Sequence, residues 1–159
     1  MLTRSTFLTL SLVGATTRAA WASASGPIVN SQTSFVIGVP GGSTSEGVQL
    51  VVWSPDGTPN QSWTVVPTGT GWFKLVNDGS GLCMGVGAGS TADGAQIVQW
   101  HDDGTPNQKW QWQPRGGGGS VLVNSGSGKV VGVAGASTQK GAQLIQWHED
   151  GTPNQRWLR

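Results

Sequence analysis

Residues 47–63, 94–110 and 141–157 read GVQLVVWSPDGTPNQSW, GAQIVQWHDDGTPNQKW and GAQLIQWHEDGTPNQRW, one phrase written three times at a spacing of 47 residues. The register extends beyond the phrase without an insertion or deletion. Val29-Asn30 matches Val76-Asn77 and Val123-Asn124; Gly38-Val39 matches Gly85-Val86 and Gly132-Val133; Ser43-Thr44 matches Ser90-Thr91 and Ser137-Thr138. Trp53, Trp100 and Trp147 follow, and Trp63, Trp110 and Trp157 close the units. A period of this length marks a structural unit that cannot bury its apolar face alone and must pack on its copies.

Within a unit the apolar runs are short. WFKLVN, GLCMGV, AQIVQW and NQKWQWQP are rich in Val, Ile, Leu and Trp and are separated by glycine or Asp-Gly turns. That is the grammar of strands and hairpins. No segment sustains a 3.6-residue apolar period long enough for a helix. Four strands per unit and three units give about twelve strands. A β-propeller also uses four-stranded units but closes with at least about four blades. Three units instead suit an all-β barrel with pseudo-threefold symmetry, in which the repeated tryptophans meet near the axis and fill a common core. The last unit stops at Trp157-Leu158-Arg159, where its predecessors continue as TVVP and QWQP, so its final strand is short and pairing near the chain ends is expected to be weaker.

Residues 1–24 stand apart. A basic residue at Arg4, an apolar run from Phe7 to Ala15 and Ala22-Ser23-Ala24 have the layout of a secretory signal peptide, with no stop-transfer segment behind it. The expectation is a secreted chain whose single domain spans residues 25–159. Removing Arg4 and Arg18 leaves 7 Lys+Arg against 8 Asp+Glu, a formal charge of −1. Phosphate binding needs concentrated positive charge, so nucleic acid is not expected as a partner, nor is membrane insertion. A near-neutral surface suits an uncharged ligand. With 26 glycines and no tyrosine, the chain is built from turns joining short strands. Cys83 is the single cysteine, so no internal disulfide forms.

Gln61-x-Trp63, Gln108-x-Trp110 and Gln155-x-Trp157, each ten residues beyond another Trp, resemble the signature of the ricin-type β-trefoil lectins and related carbohydrate-binding modules. The resemblance covers residues 27–159. It implies a β-trefoil of three four-stranded repeats, with the closing Trp63, Trp110 and Trp157 filling the core. It also implies a sugar pocket beside each loop: an aromatic ring at Trp53, Trp100 and Trp147, and an amide at Asn60, Asn107 and Asn154. The chemistry is sound, because sugar C–H faces cover an indole while hydroxyls seek amide and carboxylate partners. Each residue also has a structural role open to it: the Trp half-buried over the core, the Asn closing the DGTPN turn.

The chain departs from the family pattern at two places. The family's hydroxyl-gripping Asp lies fifteen residues before the stacking Trp, where this chain has Gly38, Gly85 and Gly132. Asp56, Asp103 and Asp150, three residues after each Trp, are candidate substitutes, with the opening of an Asp-Gly turn as their other role. Relatives join a cysteine at the position of Cys83 to one two residues beyond the Trp, but Pro55, Asp102 and Glu149 stand there. Cys83 therefore reads as a small buried residue aligned with Val36 and Val130. His101 and His148 flank units two and three where unit one has Ser54, so those two sites are expected to behave alike and the first differently.

His101-Asp102-Asp103 and His148-Glu149-Asp150 do not read as metal sites, because consecutive residues in extended chain point in alternate directions. No matched carboxylate pair or nucleophile–base constellation appears, so no catalysis and no cofactor are expected. The leading expectation is a noncatalytic lectin that binds a glycan or polysaccharide through up to three weak sites. The alternative is a structural or protein-interaction trefoil, with a protein partner in place of a lost sugar.

Overall fold

The computed structural model describes residues 24–159, so the leader expected over residues 1–24 lies outside the described residues apart from Ala24. The described residues form thirteen short strands. These are β1 (Ser25–Gly26), β2 (Val29–Asn30), β3 (Val36–Gly38), β4 (Val51–Trp53), β5 (Trp63–Pro67), β6 (Phe73–Asn77), β7 (Cys83–Val86), β8 (Ile97–Trp100), β9 (Trp110–Pro114), β10 (Ser120–Asn124), β11 (Val130–Val133), β12 (Leu144–Trp147) and β13 (Trp157–Leu158). The excess over twelve arises at Pro27, which has no N–H to give to a ladder. It breaks the opening strand of unit one, so β1 and β2 together occupy the place of β6 and of β10.

Pairing follows the 47-residue period. β5–β6, β9–β10 and β13–β2 are antiparallel ladders. Neighbouring ladders meet at equivalent positions, Gly26 opposite Trp63, Phe73 opposite Trp110 and Ser120 opposite Trp157. Because β1 and β2 are one length of chain, these pairings close a six-stranded barrel. The hairpins β3–β4, β7–β8 and β11–β12 cover one end. Three equivalent bridges, Gln49 to Val98, Gln96 to Ile145 and Gln143 to Val51, join each hairpin to the next in a triangular cap. The fold is a β-trefoil.

The core lies on the axis. Trp63, Trp110 and Trp157 are fully buried in a single cluster with Ile28, Ile37, Leu50, Leu75, Met84, Ile97, Leu122 and Leu144. Each indole contributes on the order of 4–6 kcal/mol of gross apolar burial. Its N–H cannot stay unpaired in such a core. Trp63 Nε1 donates to the carbonyl of Ile37 at 3.0 Å, Trp110 to Met84 at 2.9 Å and Trp157 to Val131 at 3.0 Å. Every unit thus ties its closing barrel strand to its own cap hairpin at the same point.

Asn30, Asn77 and Asn124 are buried at the ends of the first barrel strands. Each side-chain oxygen accepts from the amides two and three residues on, which sets the turn, while Nδ2 donates to Asn154 O, Asn60 O and Asn107 O respectively. At the chain ends the two-residue β13 is reinforced by Arg159, whose guanidinium donates to the carbonyls of Ala24 and Trp63. That seam is therefore bonded by a side chain where the backbone ladder runs out.

Two measurements test this packing. Trp110→Phe removes the indole N–H and leaves Met84 O without a partner, at an expected cost of about 2–4 kcal/mol in urea unfolding. An unchanged midpoint would refute the role given to the indole. Cys83 is buried, and burial pushes its thiol up to about 11. Iodoacetamide at neutral pH should therefore spare it in the folded chain and alkylate it only after denaturation.

Candidate functional site

The DGTPNQ phrase folds on its own side chains. In unit two, Asp103 Oδ1 accepts from the Thr105 amide at 3.0 Å and from the Thr105 hydroxyl, and Gly104 takes the positive φ that the turn requires. Pro106 then opens a single 3₁₀ turn, Pro106–Gln108, where a fixed φ is an advantage. Asn107 Nδ2 donates back to the Thr105 hydroxyl at 2.6 Å, so Asp, Thr and Asn form one relay. Units one and three repeat it through Asp56, Thr58 and Asn60 and through Asp150, Thr152 and Asn154. Hydrogen bonds from the Thr hydroxyls hold all three carboxyls below their ordinary value.

The Gln of Gln-x-Trp fastens this loop to the core. Gln108 Nε2 donates to His101 O at 2.7 Å while its Oε1 accepts from the Asp103 amide at 3.1 Å. Gln61 bridges Ser54 O and the Asp56 amide, and Gln155 bridges His148 O and the Asp150 amide. The outer Trp sits where its cap strand leaves the triangle, and its ring edge crosses to the preceding unit, the third unit preceding the first around the axis. A β-carbon on Gly141 would lie 3.3 Å from Trp53 Cζ3, and one on Gly47 would lie 3.5 Å from Trp100 Cζ3. Both glycines also have positive φ, +88° and +79°, so the backbone favours glycine at both, and at Gly141 the ring leaves little room besides.

The structure gathers the nine site residues expected from the sequence into three cavities. Trp53, Asp56 and Asn60 line one of about 510 Å³ with Gly38 at its base. Trp100, Asp103 and Asn107 line one of about 830 Å³ with Gly85. Trp147, Asp150 and Asn154 line one of about 300 Å³ with Gly132. Trp53 and Trp100 are 42% and 38% exposed, whereas Trp63 and Trp110 are sealed in the core, so the two tryptophan sets divide cleanly. Asn154 is buried and its Oδ1 accepts from the Val133 amide, and its cavity is the smallest of the three.

The glycines have a steric reason. A β-carbon on Gly85 would stand 3.1 Å from both Asn107 Oδ1 and Gln108 Cγ, and Gly38 and Gly132 are equally crowded by their own Asn and Gln. A side chain on this strand would press on the relay Asn and the clamp Gln, which would have to give by a few tenths of an ångström to admit it. The charged acceptor in each cavity comes instead from the turn, at Asp56, Asp103 and Asp150.

Each rim is completed by the preceding unit, which sequence reading missed. His101 Nδ1 lies 2.6 Å from Glu46 Oε1, and His148 Nδ1 lies 2.8 Å from Asp93 Oδ2. The rings of His101 and His148 tilt against Trp100 and Trp147 at 5.4 and 5.3 Å between centroids. At the first site Ser54 replaces the His and Lys140 replaces the carboxylate, with Nζ 4.9 Å from the Trp53 ring centre. The shared 47-residue offset of Glu46, Asp93 and Lys140 is the signal that could have found them. Asp102 and Glu149 point elsewhere: Asp102 pairs with Lys74, and Glu149 takes a two-pronged bond from Arg115. Those bonds hold both carboxyls below their usual range. Among the described residues no three His, Cys, Asp or Glu side chains converge as metal ligands would.

The sequence profile described as the ricin-type beta-trefoil lectin domain matches residues 24–157. Among solved structures the chain is similar to ThreeFoil, a designed threefold-symmetric protein, at 37% identity and a TM-score of 0.81, covering 84% of this chain and 95% of that one. It is similar to the exo-β-1,3-galactanase 1,3Gal43A of Clostridium thermocellum at 33% identity and a TM-score of 0.80, over 82% of this chain but only 28% of the galactanase. The Rhizoctonia solani agglutinin shares the fold, with a TM-score of 0.77 at 19% identity, over 85% of this chain and 92% of that one. No curated protein matches the chain.

Gly85→Ala tests the crowding at the base of the second cavity. Its methyl must displace Asn107 or Gln108, whose amides are both tied, so an expected loss of about 1–3 kcal/mol should appear in thermal or urea unfolding. A variant as stable as the parent would show that the glycine has no steric role.

Proposed function

The chain belongs to the ricin-type β-trefoil lectin domain family, and from that premise we propose that it is a secreted, noncatalytic carbohydrate-binding protein with three repeat-related sites. The observation that carries this reading is the grouping of an outer Trp, a turn Asp and a relay Asn in a cavity of each unit. The ring supplies an apolar face for a pyranose. Oδ1 of each Asp is spent on its Thr, while Oδ2 has no partner among the described residues and remains free to accept from a sugar hydroxyl. The pre-tied side chains lower the entropy lost on binding.

Each site is shallow and supplies few hydrogen bonds, so affinity per site is expected to be low. Three sites on one rigid body raise the effective concentration at a multivalent glycan or polysaccharide. The galactanase to which the chain is similar is named for action on β-1,3-galactan, which makes galactans the first polymer to examine. Export rests on residues 1–24 alone, and the mature chain is expected to begin at Ser25. A second reading, a trefoil that binds a protein, is favoured by the glycines that stand in place of the family carboxylate.

Immobilised galactan, xylan, mannan and glucan, presented to residues 25–159, separate the two. Binding is expected to at least one polymer and to fall about tenfold when Trp100 or Trp147 is changed to Ala, with circular dichroism unchanged. Absence of binding to every polymer would leave the protein-partner reading.

A further inference from the structure

The three rims carry different charge, and the difference is systematic. The residue before each ring-supporting glycine is Glu46, Asp93 or Lys140, and it faces the Trp of the next unit. Where it is acidic, the position after that Trp is His and the two side chains meet. Where it is Lys, that position is Ser54 and the ammonium rests on the ring. At the Trp100 rim stand the carboxylates of Glu46 and Asp103, with Glu46 against His101, while Asp102 is turned to Lys74. At the Trp147 rim stand Asp93 and Asp150, with Asp93 against His148 and Lys129, while Glu149 is turned to Arg115 and Arg156. Trp53 has Asp56 as its single carboxylate, Pro55 where the other loops carry Asp102 and Glu149, and Lys140 as its cation.

We infer that the Trp53 site takes an acidic saccharide, its pyranose face on the Trp53 ring and its carboxylate on Lys140, whereas the Trp100 and Trp147 sites take neutral sugar. This rests on the carbohydrate-binding reading above. Lys140 forms no ion pair among the described residues, and a cation–π contact at 4.9 Å is weak enough at an exposed rim to yield to a carboxylate. Its loop is also less restrained than its counterparts. Gln99 Nε2 donates to Ser43 O and Ser45 O, and Gln146 to Ser90 O and Ala92 O, fastening the segments that carry Glu46 and Asp93. The equivalent residue facing the 137–139 segment is Val52, which has no donor to offer. Among the described residues Lys140 is the rim cation with no carboxylate partner, so its ammonium can move off the ring toward an incoming anion.

Matched probes decide it: oligosaccharides of galacturonate, glucuronate and mannuronate, each beside its methyl ester, which keeps the ring and removes the charge. With Trp100 and Trp147 both changed to Ala, the remaining site should bind at least one acid about three- to tenfold better than its ester at low salt, with the margin shrinking at high salt. Lys140→Ala should erase that margin and Lys140→Arg keep it. If the double variant does not fold, the same Lys140 pair in the otherwise intact chain reads the acidic component alone. Equal binding of acid and ester overturns the inference, as does neutral-sugar binding that rises when Lys140 is removed, which would make Lys140 a plug. If Trp53→Ala still binds neutral polymer while the Trp53 site alone binds nothing, this inference fails and the lectin reading stands. If neither protein binds any probe, both fail.

Discussion

An indole N–H sealed inside an apolar core has to find an acceptor, and in this chain the acceptor is always the carbonyl of a cap-hairpin strand. That requirement fixes the position of each closing Trp against Ile37, Met84 or Val131. Two residues upstream the Gln ends a single 3₁₀ turn and faces the other way, onto the backbone of the outer loop. One tripeptide therefore spans core and surface. The Trp decides where barrel and cap meet, and the Gln decides where the loop with Asp, Thr and Asn hangs from that junction. The cavities inherit their geometry from the core, so loosening an indole should be felt at the site as well as in stability.

The three units are nearly identical where they touch the axis and differ where they meet water. Core positions tolerate little change, because a lost methylene or an orphaned carbonyl costs kilocalories, whereas exposed rim substitutions cost little. The rim is therefore where sites can diverge without endangering the trefoil. Glu46 with His101 and Asp93 with His148 keep one arrangement, and Lys140 with Ser54 keeps another. The buried Gln99 and Gln146 accompany the first arrangement and Val52 the second. Partnered changes of this kind at three positions mark the first rim as a distinct environment on the shared trefoil frame.

Much of this frame was legible in the sequence because it is written locally and three times. The 47-residue register, the short Val-rich runs and the Gln-x-Trp triplets lead to a closed barrel with a tryptophan core, and the resemblance they carry supplies the trefoil. The residues drawn into the cavities were also legible, since Trp, Asp and Asn lie within eight positions of one another. Two things were not. The crowding at Gly38, Gly85 and Gly132 comes from an Asn and a Gln over twenty residues away, which no local pattern encodes. The rims are shared between units, so Lys140 and Trp53 belong to one site although they stand in the third and first repeats. The break at Pro27 was readable, because proline cannot serve a ladder, but the repeat register drew attention past it.

Moving the charged acceptor from strand to turn changes what each cavity can hold. A carboxylate on the strand at Gly85 would sit at the floor and draw a hydroxyl pair down against the cap. Asp103 sits at the mouth, anchored through Oδ1 to Thr105, so its free oxygen meets a ligand that lies flat across Trp100 and need not enter deeply. On the proposed reading such a site would grip little more than one sugar edge and leave neighbouring residues of a polymer free to pass over it. Threefold symmetry then directs the three mouths away from one axis, at roughly 120° to one another, so a single straight strand cannot occupy them all. If the proposed sites take sugar, avidity on this body would come from branched glycans, from several chains at once or from the surface of an insoluble polymer, with cross-linking as the consequence of its symmetry.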